Sequence, residues 1–159
     1  MASTNFEKVG VFSQVFEVPT SDTVRHAIWT NNPKLVKLRM DLIREEMKEL
    51  EDAVKFKDMV ETIDALADIL YVVYGMGASF GIDMDEAFDI VHRSNMSKIC
   101  ATEEDAQVTV QKYQAERPQR YDSPYYYQFA KGVYIVKNKS TGKVLKNYKY
   151  KPANFESIL

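Results

Sequence analysis

Six carboxylates stand in two stretches that otherwise pattern as core helices. Glu45, Glu46 and Glu49 lie in the first, Glu61, Asp64 and Asp68 in the second. A buried carboxylate without a partner costs several kcal/mol or takes up a proton. A cluster of them calls for a cation. Oxygen-only donors suit hard divalent ions, so Mg²⁺ or Mn²⁺ is the expected cofactor.

Helical phase sorts the acids. At about 100° per residue, with Leu42 at the origin, Leu35, Glu46, Glu49 and Ala53 fall within about 40°. Glu45 and Arg39 sit at the edges of this stripe, about 60° away on either side. Arg44, Lys48 and Glu51 lie on the far face and need only solvent. In the second stretch, Glu61, Asp64 and Asp68 are the only charged residues between Val60 and Phe80. Steps of three and four put them on one face, which Gly75 and Ser79 continue and Tyr71 borders. No basic residue shares this segment, so pairing within the helix does not explain the acids. Two antiparallel helices would bring both acid faces together. A glycine on such a face lets a ligand or another helix approach closely.

The elements that must position these residues follow from capping and periodicity. Thr4 and Glu7 have capping-box spacing ahead of a short helix ending near Phe16. Residues 19–32 read as irregular. Asn32-Pro33 opens a long helix to about Lys57. The next runs from about Met59 to Phe80, with Gly81 to end it. Asp83 and Glu86 cap a fourth, reaching about Lys98, and residues 102–117 form a fifth. The tail is strand-like at Val133–Val136 and Val144–Tyr150, with Asn138–Gly142 as the turn, and Tyr121, Tyr125, Tyr126, Tyr127 and Phe129 pack against that hairpin. The expected fold is all-α, a four- to five-helix bundle with a small C-terminal β-hairpin, in one domain over 1–159 (helical core about 4–117, extension about 121–159).

Composition narrows the function. The chain has 159 residues, a net charge of −2 and one cysteine, Cys100. Such a global charge speaks against bulk nucleic-acid binding, and one cysteine fits a reducing, cytoplasmic setting. No apolar run reads as the roughly 20 residues of a membrane span. A di-iron carboxylate bundle would need Glu-x-x-His pairs. Neither His26 nor His92 follows a glutamate by three.

Glu45-Glu46-Met47-Lys48-Glu49, followed by Glu61-Thr62-Ile63-Asp64, resembles the signature of the all-α nucleoside triphosphate pyrophosphohydrolases. That superfamily includes MazG-like enzymes, dimeric dUTPases, dCTP pyrophosphatases and phosphoribosyl-ATP pyrophosphohydrolase. The likeness extends through Ala67-Asp68-Ile69-Leu70-Tyr71 and His92-Arg93-Ser94-Asn95-Met96-Ser97-Lys98, and the flanks are similar to the MazG-like subgroup. The resemblance implies Mg²⁺-dependent cleavage of a nucleoside triphosphate between the α- and β-phosphates. It implies a homodimer or dimer of dimers, and a pyrimidine deoxynucleotide such as dUTP as a first substrate. Read onto this chain, Glu46, Glu49, Glu61, Asp64 and Asp68 are the metal ligands, with either Glu61 or Asp68 completing the set. Glu45 at the rim is the candidate base. Asn95 is a nucleotide contact and Lys98 a phosphate contact, on an inward face with Ala87, Ile90, Val91 and Ser94. Arg39 could face a carboxylate or a phosphate. Tyr71, Phe16 and Trp29 are core rings first and base-stacking rings second. The competing readings are a catalytically weak nucleotide sensor on the same fold and a helical interaction module without a ligand.

Overall fold

A computed structural model describes residues 3–159. Among the described residues six α-helices run in chain order: α1 Asn5–Val15, α2 Ile28–Asn31, α3 Pro33–Phe56, α4 Met59–Phe80, α5 Met84–Met96 and α6 Glu103–Ala115. Two antiparallel strands follow, β1 Pro124–Ala130 and β2 Val133–Asn138. The fold is thus all-α with a C-terminal hairpin, as expected. The chain divides into two compact units, one reaching Ala87 and including Glu156–Leu159, the other Phe88–Phe155.

In the first unit the caps lie where the sequence puts them. The Thr4 hydroxyl accepts from Glu7 N–H at 3.1 Å, and the Glu7 carboxylate accepts from Thr4 N–H at 2.7 Å. Asn32 Oδ1 accepts from Leu35 N–H at 3.2 Å with proline at the first position of α3. Lys57, left-handed at φ 58°, ends α3, and Asp58 Oδ1 takes the N–H groups of Val60 and Glu61 to open α4. This tight link lays α3 and α4 against each other. The segment read as irregular holds one short helix, α2. It has no side-chain cap. Burial holds it instead, because Ile28 packs with Leu35 and Phe80.

Gly81 closes α4 at φ 74°, a left-handed conformation that costs glycine little. A Cβ there would also strike the carbonyl of Thr23. The chain from Ser21 to Arg25 crosses this helix end, with Ser21 N–H donating to Ala78 O at 3.0 Å and Arg25 N–H to Phe80 O at 2.9 Å. One sequence expectation changes here. By length and composition α4 is apolar enough to cross a membrane, at 22 residues with an 18-residue stretch of mean hydropathy 1.3. A core helix of a bundle passes the same test, and the acid stripe along α4 fits the bundle.

The second unit has its own core of Cys100, Ala106, Val136 and Leu145, ringed by Val110, Tyr113, Tyr121, Tyr126 and Tyr134. Burial pushes the Cys100 thiol pKa up, which keeps it protonated and inert. The hairpin differs from expectation. Its first strand is the aromatic run Pro124–Ala130, paired with Val133–Asn138 in the register Tyr125↔Lys137, Tyr126↔Val136 and Tyr127↔Ile135. Residues 144–150 form no strand; they meet β2 at an isolated bridge, Lys137↔Val144. The tyrosine run has high strand propensity, and Lys131-Gly132 with Gly132 at φ 72° supplies the turn. Val144–Tyr150 is placed by anchoring instead. Leu145 is buried and its N–H donates to Val136 O, while Asn147 Nδ2 donates to Ile99 O at 2.8 Å.

Gly81→Ala should destabilise the first unit by about 2–3 kcal/mol through left-handed strain and the Thr23 clash. Urea unfolding would show this as a lower midpoint with an unchanged slope. An unchanged midpoint would mean that the turn is not tightly held.

Candidate active site

The two faces of α3 treat their charges differently. On the outer face Asp41 pairs with Lys37 and with Arg44 at 3.0 Å, and Asp52 pairs with Lys48. Among the described residues, none of Glu45, Glu46, Glu49, Glu61, Asp64 and Asp68 joins an ion pair. Glu46 and Asp68 are half-buried, and the other four acids are exposed. Glu46 Oε2 is shielded from solvent and has no hydrogen-bond donor.

The Glu46 carboxyl pKa is raised, first by burial, then by the charges of Glu49, Asp68, Glu45 and Asp64. Glu46 is therefore the centre toward which four other acids are gathered. Glu61 stands in the first turn of α4, one turn before Asp64 on the same face. No three acidic, histidine or cysteine side chains among the described residues converge tightly enough to hold a metal ion as they stand. Like charges repel, and exposed carboxylates can turn to water. The donor set still fits a hard divalent cation. It is all carboxylate, no cationic side chain neutralises it, and one of its buried oxygens lacks a partner.

Arg39 lies two turns before Glu46 on the same stripe. It is only 7% exposed. Its Nε donates to Ser79 Oγ at 2.9 Å, and that hydroxyl donates to Gly75 O at 2.9 Å. Gly75 makes the seat, since a Cβ there would lie 3.1 Å from Arg39 Nη1. The close approach expected at this glycine is thus made by a guanidinium. Arg39 Nη2 is buried without an acceptor, and desolvation lowers the arginine's pKa. Gly75 and Ser79 were visible in the sequence as a continuation of the acid face. Their service to Arg39 was not.

The aromatic candidates are not core. Tyr71 is 39% exposed, Trp29 60% and Phe16 64%. Tyr71 meets Phe12 edge-on at 5.4 Å, and Phe12 leans on Phe16 at 4.4 Å. Trp29 caps Phe80 edge-on at 5.1 Å from outside. A cavity of about 610 Å³ in this unit lies between α1 and the end of α4, lined by Phe6, Gln14, Asp22, Ile82 and Asp83 among others. None of the six acids lines it, so the volume is not the centre of the chemistry.

Asn95 and Lys98 belong to the second unit, where Lys98 Nζ donates to Asn95 Oδ1 at 2.6 Å. The inward face of α5 is narrower than expected. Ile90 and Ser94 are buried, whereas Val91 and Asn95 are exposed. Two residues of this motif have a role that spacing did not suggest. Ser94 Oγ donates to Lys151 O at 2.9 Å and lies 2.8 Å from the Tyr150 hydroxyl. Ser97 Oγ accepts from Lys151 N–H at 3.0 Å. Both serines pin the C-terminal segment.

The raised pKa of Glu46 has a thermodynamic consequence. The folded chain holds this proton at pH values where the unfolded chain has released it. Stability linked to Glu46 is therefore present at low pH and lost as pH rises through its folded value. In a chelator-containing buffer, Glu46→Gln should melt above wild type at pH 7, with the gap closing near pH 4. An identical offset at both pH values in thermal melts would contradict the site's electrostatics.

The comparisons agree with this geometry. The profile of the phosphoribosyl-ATP pyrophosphohydrolase family matches residues 9–95, which include all six acids. An uncharacterised protein of Acanthamoeba polyphaga mimivirus, L479, is 30% identical over an alignment of 242 positions that covers 99% of this chain and 96% of the relative. The unpaired acid face, the helices that carry it and the match over more than half the sequence agree: the chain belongs to the phosphoribosyl-ATP pyrophosphohydrolase family, and its general function is that of a nucleotide pyrophosphohydrolase.

Proposed function

We propose that the protein hydrolyses a (deoxy)nucleoside triphosphate between the α- and β-phosphates, releasing a monophosphate and pyrophosphate, in the service of nucleotide-pool sanitation in a cytoplasmic setting. The observation that carries this reading is the acid face shared by α3 and α4. Its carboxylates are unpaired while those on the outer face of α3 are matched with lysine and arginine.

Glu46, Glu49, Asp64 and Asp68 would hold Mg²⁺, or Mn²⁺ in its place, with Glu61 as the outlying member of the set. Bound there, the ion would neutralise phosphate charge and lower the pKa of an attacking water. Glu45 is exposed beside Glu46 and would take the proton of that water. Tyr71, with its ring face partly open to solvent, would contact the nucleoside. Arg39, already oriented by Ser79, would add positive potential along the same stripe. Asn95 and Lys98 would contact the nucleotide, a role carried by the resemblance of their segment to the superfamily pattern. A dUTP-like pyrimidine deoxynucleotide is the first substrate to try.

A homodimer or dimer of dimers fits the back of α4. There Met59, Ile63, Leu66 and Leu70 form an apolar stripe opposite the acids, and they are 49–70% exposed. Exposed stripes of this kind mark association surfaces.

Incubation of the canonical and modified (d)NTPs with Mg²⁺ should release pyrophosphate. Glu46→Gln or Asp64→Asn should lower turnover at least about a hundredfold. Glu45→Gln should lower kcat about a hundredfold while leaving metal affinity intact. Release of orthophosphate alone would rule out α–β cleavage. Tight nucleotide binding without any turnover would make the protein a sensor.

A further inference from the structure

The chain's net charge of −2 hides a strong segregation. The first unit carries nine basic and seventeen acidic residues, a formal −8. The second carries twelve basic and six acidic residues, a formal +6. Seven lysines and no acid lie between Lys131 and Lys151. Among the described residues only one of these seven, Lys149, is in an ion pair, with Asp105 at 2.7 Å. Lys137, Lys143, Lys146 and Lys149 each lie over a tyrosine ring, and among the described residues the six lysines other than Lys149 have no carboxylate partner.

The β1–β2 ribbon gives that charge a shape. One face of the ribbon, with Tyr126, Tyr134 and Val136, packs on the core of the second unit. The other face carries Tyr125 and Tyr127 at alternate positions of β1, with Lys137 and Ile135 opposite them on β2. The two rings are nearly parallel, 6.1 Å apart and inclined by 25°. Tyr125 is 38% exposed, and Phe129, at the register shift beyond them, is 73% exposed. Lys137 Nζ lies 5.5 Å from the Tyr127 ring centre. A ribbon that only needed to blunt its edge would use lysine and would not display aromatic rings.

We infer that this outer face of the hairpin is a binding platform for single-stranded nucleic acid. The paired rings of Tyr125 and Tyr127, with the exposed Phe129 beyond them, offer aromatic surface on which bases can stack. Unstacked bases of a single strand lie on such rings regardless of their identity. Lys137, beside the Tyr127 ring and without a carboxylate partner among the described residues, meets a phosphate and releases counterions. A duplex keeps its bases stacked inside and cannot use the rings. The platform lies outside the residues matched by the pyrophosphohydrolase family, 9–95, so it is an addition to the catalytic unit.

The test is fluorescence anisotropy of the full-length protein with labelled oligo(dT) and oligo(U) of 20 nucleotides and with a duplex of equal length. Single strands should bind at 50 mM salt and weaken about tenfold by 200 mM salt. Tyr125→Ala with Tyr127→Ala should weaken binding about tenfold per ring. Tyr125→Phe with Tyr127→Phe should restore it, which separates stacking from any loss of folding. Lys137→Gln should weaken binding and flatten the salt dependence. Nucleotide hydrolysis should be unchanged in all variants, so this test stands apart from the proposed activity. Equal affinity for duplex, equal affinity in the alanine double variant, or no binding at low salt would each overturn the platform. A shift of oligomeric state in the alanine variant without loss of nucleic acid affinity would also overturn it and make the face a contact between copies.

Discussion

Everything at the centre of the first unit depends on mutual repulsion among carboxylates across one helix pair. Glu46 is half-buried, one of its oxygens has no donor, and four other acids raise its pKa together with burial. A fold tolerates such a group only where function repays it. The same helix shows that pairing was available, since Asp41 and Asp52 on its outer face each have a cation within a turn. The inner face has been kept free of such partners.

Local devices enforce the juxtaposition. The left-handed Lys57 and the Asp58 cap turn the chain within two residues, so α3 and α4 must lie side by side. The Arg39–Ser79–Gly75 link then fixes their register two turns beyond Glu46. The crossing segment over Gly81 holds the far end of α4. Arg39 carries a positive charge along the same stripe that holds the acids, and desolvation has already reduced its own solvation.

Much of this was legible in the sequence because it rests on short-range rules. Helical phase put Glu46 and Glu49 inside the stripe, and caps at Thr4, Asn32 and Gly81 placed the helix ends. The choice between Glu61 and Asp68 was not legible. Both share the acid face of α4, so helical phase alone does not separate them. The hairpin register was not legible because two segments can turn back on Val133–Asn138, through Lys131-Gly132 or through Asn138–Gly142, and burial of the tyrosine run favours the first. The short helix α2 and the anchoring of Leu145 and Asn147 depend on tertiary burial, which leaves no period to read. Net charge is silent on one further point. A sum over the chain cannot reveal that its halves carry opposite signs.

The central claim is that the acid face binds divalent cations in the course of nucleotide hydrolysis. A crystal grown with Mn²⁺ and a non-hydrolysable triphosphate, read by anomalous scattering, tests it most directly. The account predicts manganese peaks beside Glu46, shared with Glu49, Asp64 and Asp68, and a triphosphate lying against them. Manganese bound elsewhere, or a triphosphate seated away from these carboxylates, would contradict it.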